Sequence, residues 1–137
     1  MTTSIITASY NEVINVDFTS DAWFNATAVA KQFNKRPNDW TSLDSTKQYI
    51  KILHGLLFPE IALPENLVTK QNQLVKTVTG GISNQQGTWL HPELAVEFAR
   101  WLNVKFSIWC NTTIRKILRG ESIGEFEPAP KNDPIPC

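Results

Sequence analysis

The sequence predicts an α+β fold: an opening β-hairpin, three short helices, a second hairpin and two closing helices. Three patterns support this order: two-residue alternation near the start, helical spacing of apolar residues in the middle and at the end, and a glycine-framed polar loop between strand-like runs. The length of 137 residues suits one domain, and 42% hydrophobic residues with five Trp and seven Phe would not stay solvated. The chain is therefore expected to fold by itself.

The opening segment from residue 5 to 24 has the short period of strands. Ile14, Val16 and Phe18 alternate with polar residues, and the pairs Asn11-Glu12 and Ser20-Asp21 are typical of turns. We expect a β-hairpin here.

Helical spacing begins at Asn25, a suitable N-cap for a short helix whose apolar positions are Ala26, Val29, Ala30 and Phe33. The pair Asn34-Lys35 ends that helix. Pro37 fits the first position of a second short helix, because its missing N–H needs no partner there. In that segment Trp40 and Leu43 are interpreted as core residues.

A third helix is predicted to start at a capping box formed by Ser45 and Gln48. Its predicted buried stripe consists of Tyr49, Leu53, Leu56 and Leu57. Pro59 and Pro64 then impose an irregular crossing segment.

The second half of the chain predicts a hairpin with a long tip, followed by two helices and a tail. The strands are expected at Leu74 to Val78 and through Trp89, around a polar loop from Gly80 to Gly87. Pro92 opens the fourth helix, and the fifth runs from about Val104 to Arg119 before a stop at Gly120. The predicted stripes of these two helices are Leu94, Ala95, Phe98, Trp101 and Leu102, and Phe106, Cys110, Ile114 and Ile117. The expected domain covers residues 1–120, and residues 121–137 form an acidic, proline-rich tail that we expect to be mobile.

The formal net charge of zero hides an uneven distribution. Residues 31–119 contain twelve basic and six acidic residues, a net of +6, whereas residues 1–30 and 120–137 each have a net of −3. A basic body between acidic ends is compatible with binding to nucleic acid, but a surplus of this size also occurs on ordinary solvated surfaces.

The sequence contains no arrangement that indicates catalysis or a bound metal. His54 and His91 stand alone, and isolated imidazoles are more often structural than catalytic. Cys110 and Cys137 have neither metal-ligand spacing nor a disulfide framework. The pair Gly80-Gly81 lacks the Gly-Lys-Ser/Thr of a phosphate-binding loop. We expect no enzymatic activity, no metal and no cofactor.

Two clusters suggest contacts with DNA. The first two helices and the joint between them have the dimensions of a helix-turn-helix, and basic residues surround that joint. The hairpin tip combines glycines, which allow close approach to a groove, with amide side chains that can pair with base edges. The alternative interpretation of each cluster is a soluble surface and an ordinary polar loop.

Several separated motifs together resemble a known family. Trp23-Phe-Asn-Ala-Thr27 before a helix, Gly80-Gly81, Gly87-Thr-Trp-Leu-His-Pro92 and Ala99-Arg-Trp101 look like the signature of the KilA-N domain of phage and large DNA-virus proteins. That domain is similar in turn to the fungal APSES transcription-factor domain. The resemblance covers residues 13–118 and implies a winged helix-turn-helix-like domain that reads double-stranded DNA in phage or prophage gene regulation.

By matching motif, the resemblance assigns DNA contacts to Lys35, Arg36 and Asn38 and to the wing residues Asn84, Gln85 and Gln86. Asn25, Thr27, Trp89 and Trp101 also match but are assigned to capping and core. Residues 44–71 are longer than the APSES equivalent, so contacts there transfer poorly. The complete expected interface is Lys31, Lys35, Arg36, Asn38, Lys47, Lys51, Lys76, Thr77, Gly80, Gly81, Asn84, Gln85 and Gln86.

The competing hypothesis is an antirepressor-type module that binds a regulatory protein. An exposed apolar patch around Phe58, Ile61 and Leu63 would favour this hypothesis. On either hypothesis we expect a cytoplasmic protein, since no apolar run approaches the length of a membrane span and the start lacks a signal peptide. The resemblance implies the cytoplasm of a bacterial host and association with its nucleoid.

Overall fold

The computed structural model describes residues 5–81 and 85–121, and within them the chain forms one five-stranded antiparallel sheet and five α-helices. The strands are β1 (Ile5–Tyr10), β2 (Ile14–Thr19), β3 (Phe24–Asn25), β4 (Val75–Val78) and β5 (Gly87–Leu90). The helices are α1 (Ala26–Gln32), α2 (Pro37–Thr41), α3 (Asp44–Leu57), α4 (Pro92–Leu102) and α5 (Val104–Leu118). A single 3-10 turn, Glu65–Leu67, lies in the irregular crossing segment. The α+β class is confirmed.

The opening hairpin is confirmed. Asn11 and Glu12 both have positive φ, which matches the right-handed twist of the strands that they join. The alternating residues Ile14, Val16 and Phe18 are buried, so the two-residue period correctly assigned the core face of β2.

The two hairpins belong to the same sheet, whose strand order is β1-β2-β3-β5-β4. The two-residue strand β3 joins them, because Phe24 pairs with both Phe18 and Leu90. The hairpin β4–β5 is therefore joined to the N-terminal hairpin through main-chain pairing. We keep the name wing for this hairpin and its loop, after the role that the resemblance implies.

The first two helices largely follow the sequence prediction. Asn25 caps α1, its side chain accepting a hydrogen bond from the backbone N–H of Ala28. Pro37 is the first residue of α2, and Trp40 is buried against Phe98, as expected. The core assignment of Leu43 is wrong: this residue follows α2 and is exposed.

Helix α3 corrects the sequence prediction in two respects. It already begins at Asp44, and its N-cap is Leu43, so the predicted capping box of Ser45 and Gln48 is not formed. The buried positions are Thr46, Ile50 and His54. Of the predicted stripe, only Leu53 packs partly against the core, and the other three are exposed: Tyr49, Leu56 and Leu57.

The last two helices form the expected core layer. Both predicted stripes are buried, except that Trp101 is half-buried. Asn103 ends α4 and also caps α5, accepting a hydrogen bond from the Phe106 N–H. Gly120 has a φ of +75° just beyond α5, as expected of a helix stop. The proposed tail falls almost entirely in residues 122–137, outside the described part of the chain.

Candidate nucleic-acid interface

The wing is an antiparallel ribbon in which Lys76 pairs with Trp89 and Val78 pairs with Gly87. Gly80 and Gly81 follow β4, both with φ near +75°, a backbone conformation that other residues rarely adopt. Among residues 5–81 and 85–121, nothing lies within 4 Å of where a Cβ at either glycine would be. Asn84, a predicted wing contact, lies outside the described residues.

The base of the wing is bonded to the start of α1. The Asn25 amide donates to the main-chain oxygen of Gln86 at 3.0 Å, and the Thr88 N–H donates to Oγ1 of Thr27 at 2.9 Å. Gly87 lies between these contacts with a φ of +124°. The Asn-Ala-Thr motif and the Gly-Thr motif, 61 residues apart, therefore form one structural joint.

The two glutamines at the wing are positioned differently. Gln85 is half-buried, and its main-chain oxygen accepts a hydrogen bond from the Trp89 indole at 2.9 Å. Gln86 is exposed, and its side-chain amide donates across the loop to the Gly81 oxygen at 3.3 Å. The Gln85 side chain is thus carried by an anchored backbone, whereas the Gln86 side chain helps to close the loop.

The exposed side of α1 leads from the wing to the basic joint. Lys31 is exposed one helical turn after Thr27, so the two side chains share one face. Lys35 follows α1, and its ammonium lies 4.6 Å from the centre of the Trp101 ring. Lys31 on α1 and Lys35 just beyond it therefore place positive charge along the helix that is bonded to the wing and at its end.

Arg36 and Asn38 bracket the start of α2 and are both exposed. The Arg36 guanidinium contacts the Asp39 carboxylate at 3.3 Å, and its side chain remains 78% exposed. An ion pair this open is worth little, so Arg36 stays available to an external phosphate. Arg36 and Asn38 are therefore both accessible to a partner.

The remaining predicted contacts are engaged within the domain. The Lys51 ammonium pairs with Glu65 at 2.8 Å, and Lys47 is half-buried on α3. Thr77 donates its N–H to the Gln71 side chain and its hydroxyl to the Lys70 oxygen. The ion pair of Lys51 is exposed to solvent, as is that of Arg36, and both are worth little. Thr77 bonds within the domain, and Lys47 is partly buried.

Lys76 faces a cleft that the sequence did not reveal. Its ammonium lies 4.6 Å from the centre of the Trp23 ring. The cleft is lined by Ile5, Thr19, Asp21, Trp23, Lys76, Val78, Gln85 and Trp89. Residues from both hairpins meet here because β3 joins them, and no local sequence pattern shows that pairing.

His91 has a structural role at the start of α4. Its Nδ1 accepts a hydrogen bond from the Glu93 N–H at 3.0 Å, and its ring lies against Trp23. Burial lowers the pKa of His91 from its ordinary 6.5, opposed by Glu93 and assisted by Lys76. His54 is also buried, within 2.6 Å of the Gln73 side-chain oxygen.

Protonation of His91 is expected to destabilise the domain. Because the folded state lowers this pKa, the unfolded chain takes up the proton first, and stability falls as the pH drops below about 6.5. His91→Asn keeps a capping acceptor that does not titrate, so its thermal unfolding should depend less on pH between about 7 and 5. If the stability of both proteins falls equally steeply with pH, His91 is not the group whose protonation destabilises the domain.

The apolar patch expected around Phe58, Ile61 and Leu63 is not formed as predicted. Phe58 and Leu63 pack partly against the core, and only Ile61 is exposed. Within residues 5–81 and 85–121, no three His, Cys, Asp or Glu side chains are grouped so that they could hold a metal ion. None of the helices described is long and apolar enough to cross a membrane.

Comparison with known proteins identifies the family. The KilA-N domain model matches residues 8–120. This range contains all five helices and all of the sheet except the first residues of β1. No curated protein and no solved structure gives a significant match. KilA-N is generally a DNA-binding domain family. The joint between the Asn-Ala-Thr and Gly-Thr motifs lies within the matched residues, and the chain belongs to the KilA-N family.

Proposed function

We propose that this chain binds double-stranded DNA in a sequence-dependent way, through the α1–α2 joint and the β4–β5 wing, without catalysing a reaction. The observation that carries this proposal is the bonded joint between Asn25, Thr27 and the wing base. These bonds connect the wing base to the start of α1, the helix that leads to the basic joint. We infer that the joint and the amide-bearing wing act as one surface. A surface fixed before binding loses little conformational entropy when it meets a duplex.

The two parts of this surface have different chemistry. Lys31, Lys35 and Arg36 supply positive charge, which binds phosphates of any sequence and releases counterions. Gln85 and Gln86 supply amide groups, which can pair with base edges. We infer that the basic joint provides affinity and the wing provides discrimination, with α2 approaching the major groove in a winged helix-turn-helix arrangement.

The biological setting that we propose is gene regulation in a phage or prophage, in the cytoplasm of a bacterial host. The family membership supports DNA as the partner. The regulatory-protein hypothesis loses its expected patch at Phe58 and Leu63, since both side chains pack against the core.

Alanine at Gln85 and Gln86 tests the role of the wing. Truncation removes the Gln86 side-chain bond to the Gly81 oxygen. It leaves the main-chain oxygens of Gln85 and Gln86 bonded to the Trp89 indole and the Asn25 amide, so the ribbon should remain folded. We expect binding to a preferred duplex to fall about tenfold, with little change for an unrelated duplex, because lost base contacts cost about 1–3 kcal/mol of discrimination. Fluorescence anisotropy with both duplexes measures this ratio.

The matched control is Gln71→Ala, which removes an amide whose oxygen accepts a hydrogen bond from the Thr77 N–H in β4. It should leave the ratio between the two duplexes unchanged. If the Gln85 and Gln86 changes weaken both duplexes equally, the wing does not read sequence.

A further inference from the structure

The cleft between the two hairpins has walls that hydrogen bonds hold in place. Oγ1 of Thr19 accepts from the backbone N–H of Asp21 at 3.2 Å and from that of Trp23 at 3.0 Å, which fixes the turn before β3. On the other wall, the buried Trp89 indole donates to the Gln85 main-chain oxygen at 2.9 Å. The cleft encloses about 350 Å³, which is within the range of sites that hold one small molecule.

Trp23 brings an aromatic ring to this cleft, and Lys76 lies over that ring. The Lys76 ammonium is 4.6 Å from the ring centre, and Lys76 is exposed. An exposed cation–π contact is weaker than the stacking of a nucleobase on an aromatic side chain. A base that enters the cleft should therefore displace the ammonium from the ring. The flexible lysine stem then lets the ammonium pair with a phosphate beside the cleft.

The polar residues of the cleft favour a nucleotide over a compact ion. Asp21 would repel a small anion, and Lys76 would repel a small cation. A nucleotide separates its neutral base from its charged phosphate, so each part can meet a suitable group. The carboxylate of Asp21 accepts hydrogen bonds and the amide of Gln85 both donates and accepts, as the edge of a base requires.

We propose that this cleft binds one unpaired nucleotide of a DNA strand, with its base stacked on Trp23 and its phosphate paired with Lys76. A base within a duplex is stacked between its neighbours, so only a base outside the stack reaches the ring. The cleft adjoins the wing, because Lys76 lies in β4 and Gln85 lies in the wing loop. This inference rests on the proposed DNA binding and adds a preference for duplexes that contain an unpaired base.

Anisotropy titrations of the intact chain with two duplexes test this preference. The duplexes share one sequence, but one carries a single extra adenine. We expect the duplex with the unpaired adenine to bind about tenfold more tightly, and Trp23→Leu to remove that difference. The matched control is Trp101→Leu. The Trp101 ring also lies 4.6 Å from a lysine ammonium, that of Lys35, but it does not line the cleft, so the ratio should persist.

The outcomes separate this inference from DNA binding itself. If the unmodified chain binds both duplexes equally, or if folded Trp23→Leu keeps the preference, the cleft does not bind a base, although DNA binding stands. If neither duplex is bound, both proposals are wrong. Adenosine monophosphate distinguishes a free nucleotide from one in a strand. If it removes the preference at the concentration of the duplex, the cleft takes free nucleotides and the proposed strand contact is wrong.

Photo-crosslinking locates the base without any change to the protein. A 5-iodouracil at the unpaired position forms a covalent bond, on irradiation, with an aromatic ring on which it is stacked. We expect mass spectrometry of the digested complex to find the crosslink at Trp23. A crosslink only at residues outside the cleft, or none, would overturn the proposal.

Discussion

Reversing the charges at the α1–α2 joint, in the double variant Lys35→Glu and Arg36→Glu, is expected to weaken binding to every duplex by about a hundredfold at about 0.1 M salt. Each lost phosphate contact removes the counterion release that favours binding. The negative slope of log affinity against log salt should therefore become shallower by about two. Both side chains are on the surface, and the folded state should survive. Anisotropy titrations at several salt concentrations measure both quantities.

The control for this experiment changes the net charge of the protein by the same amount, but on α5 instead of at the α1–α2 joint. Lys105→Glu with Lys116→Glu alters two exposed residues of α5. We expect only a small decrease in affinity from this pair, through the long-range field. Equal losses in the two double variants would mean that binding follows total charge and that the α1–α2 joint has no special role.

The second large effect concerns stability at the wing base. Gly87→Ala should lower the free energy of unfolding by about 2–5 kcal/mol, through backbone strain and overpacking. The φ of Gly87 is +124°, and an added Cβ would lie 2.8 Å from Oδ1 of Asn25. Asn25 cannot easily retreat, because that oxygen caps α1 and its amide holds Gln86. Urea unfolding measures the change.

Gly80→Ala separates strain from crowding. Gly80 also has a positive φ, but its surroundings are open, so we expect a loss of only about 1 kcal/mol. If both variants lose the same stability, the close approach of Gly87 to Asn25 has no energetic consequence.

Local patterns predicted the fold well where one face of an element meets the core. Alternation located Val16 and Phe18, and helical spacing located Phe98, Phe106 and Ile114, since each element has a single apolar side. Helix α3 differs because its own apolar residues lie on more than one of its sides. Periodicity chose Tyr49, but the tertiary structure buries Ile50 and His54, with Gln73 satisfying the imidazole.

The contacts that build the candidate interface are distant in sequence. Strand β3 has two residues, too few for any period, yet Phe24 pairs across the sheet with Leu90. The bond from Thr88 to Thr27 likewise spans 61 residues. Motif resemblance named both segments without predicting that they bond to each other. The residues alone indicated only a basic joint and a polar loop.

The most direct test of the central claim is selection of a random-sequence duplex pool by the purified chain at a low and a high salt concentration, followed by sequencing. We predict salt-sensitive retention with enrichment of one motif, because phosphate contacts give affinity and the wing gives discrimination. Salt-sensitive retention without enrichment would contradict sequence reading. No retention at low salt would contradict DNA binding itself.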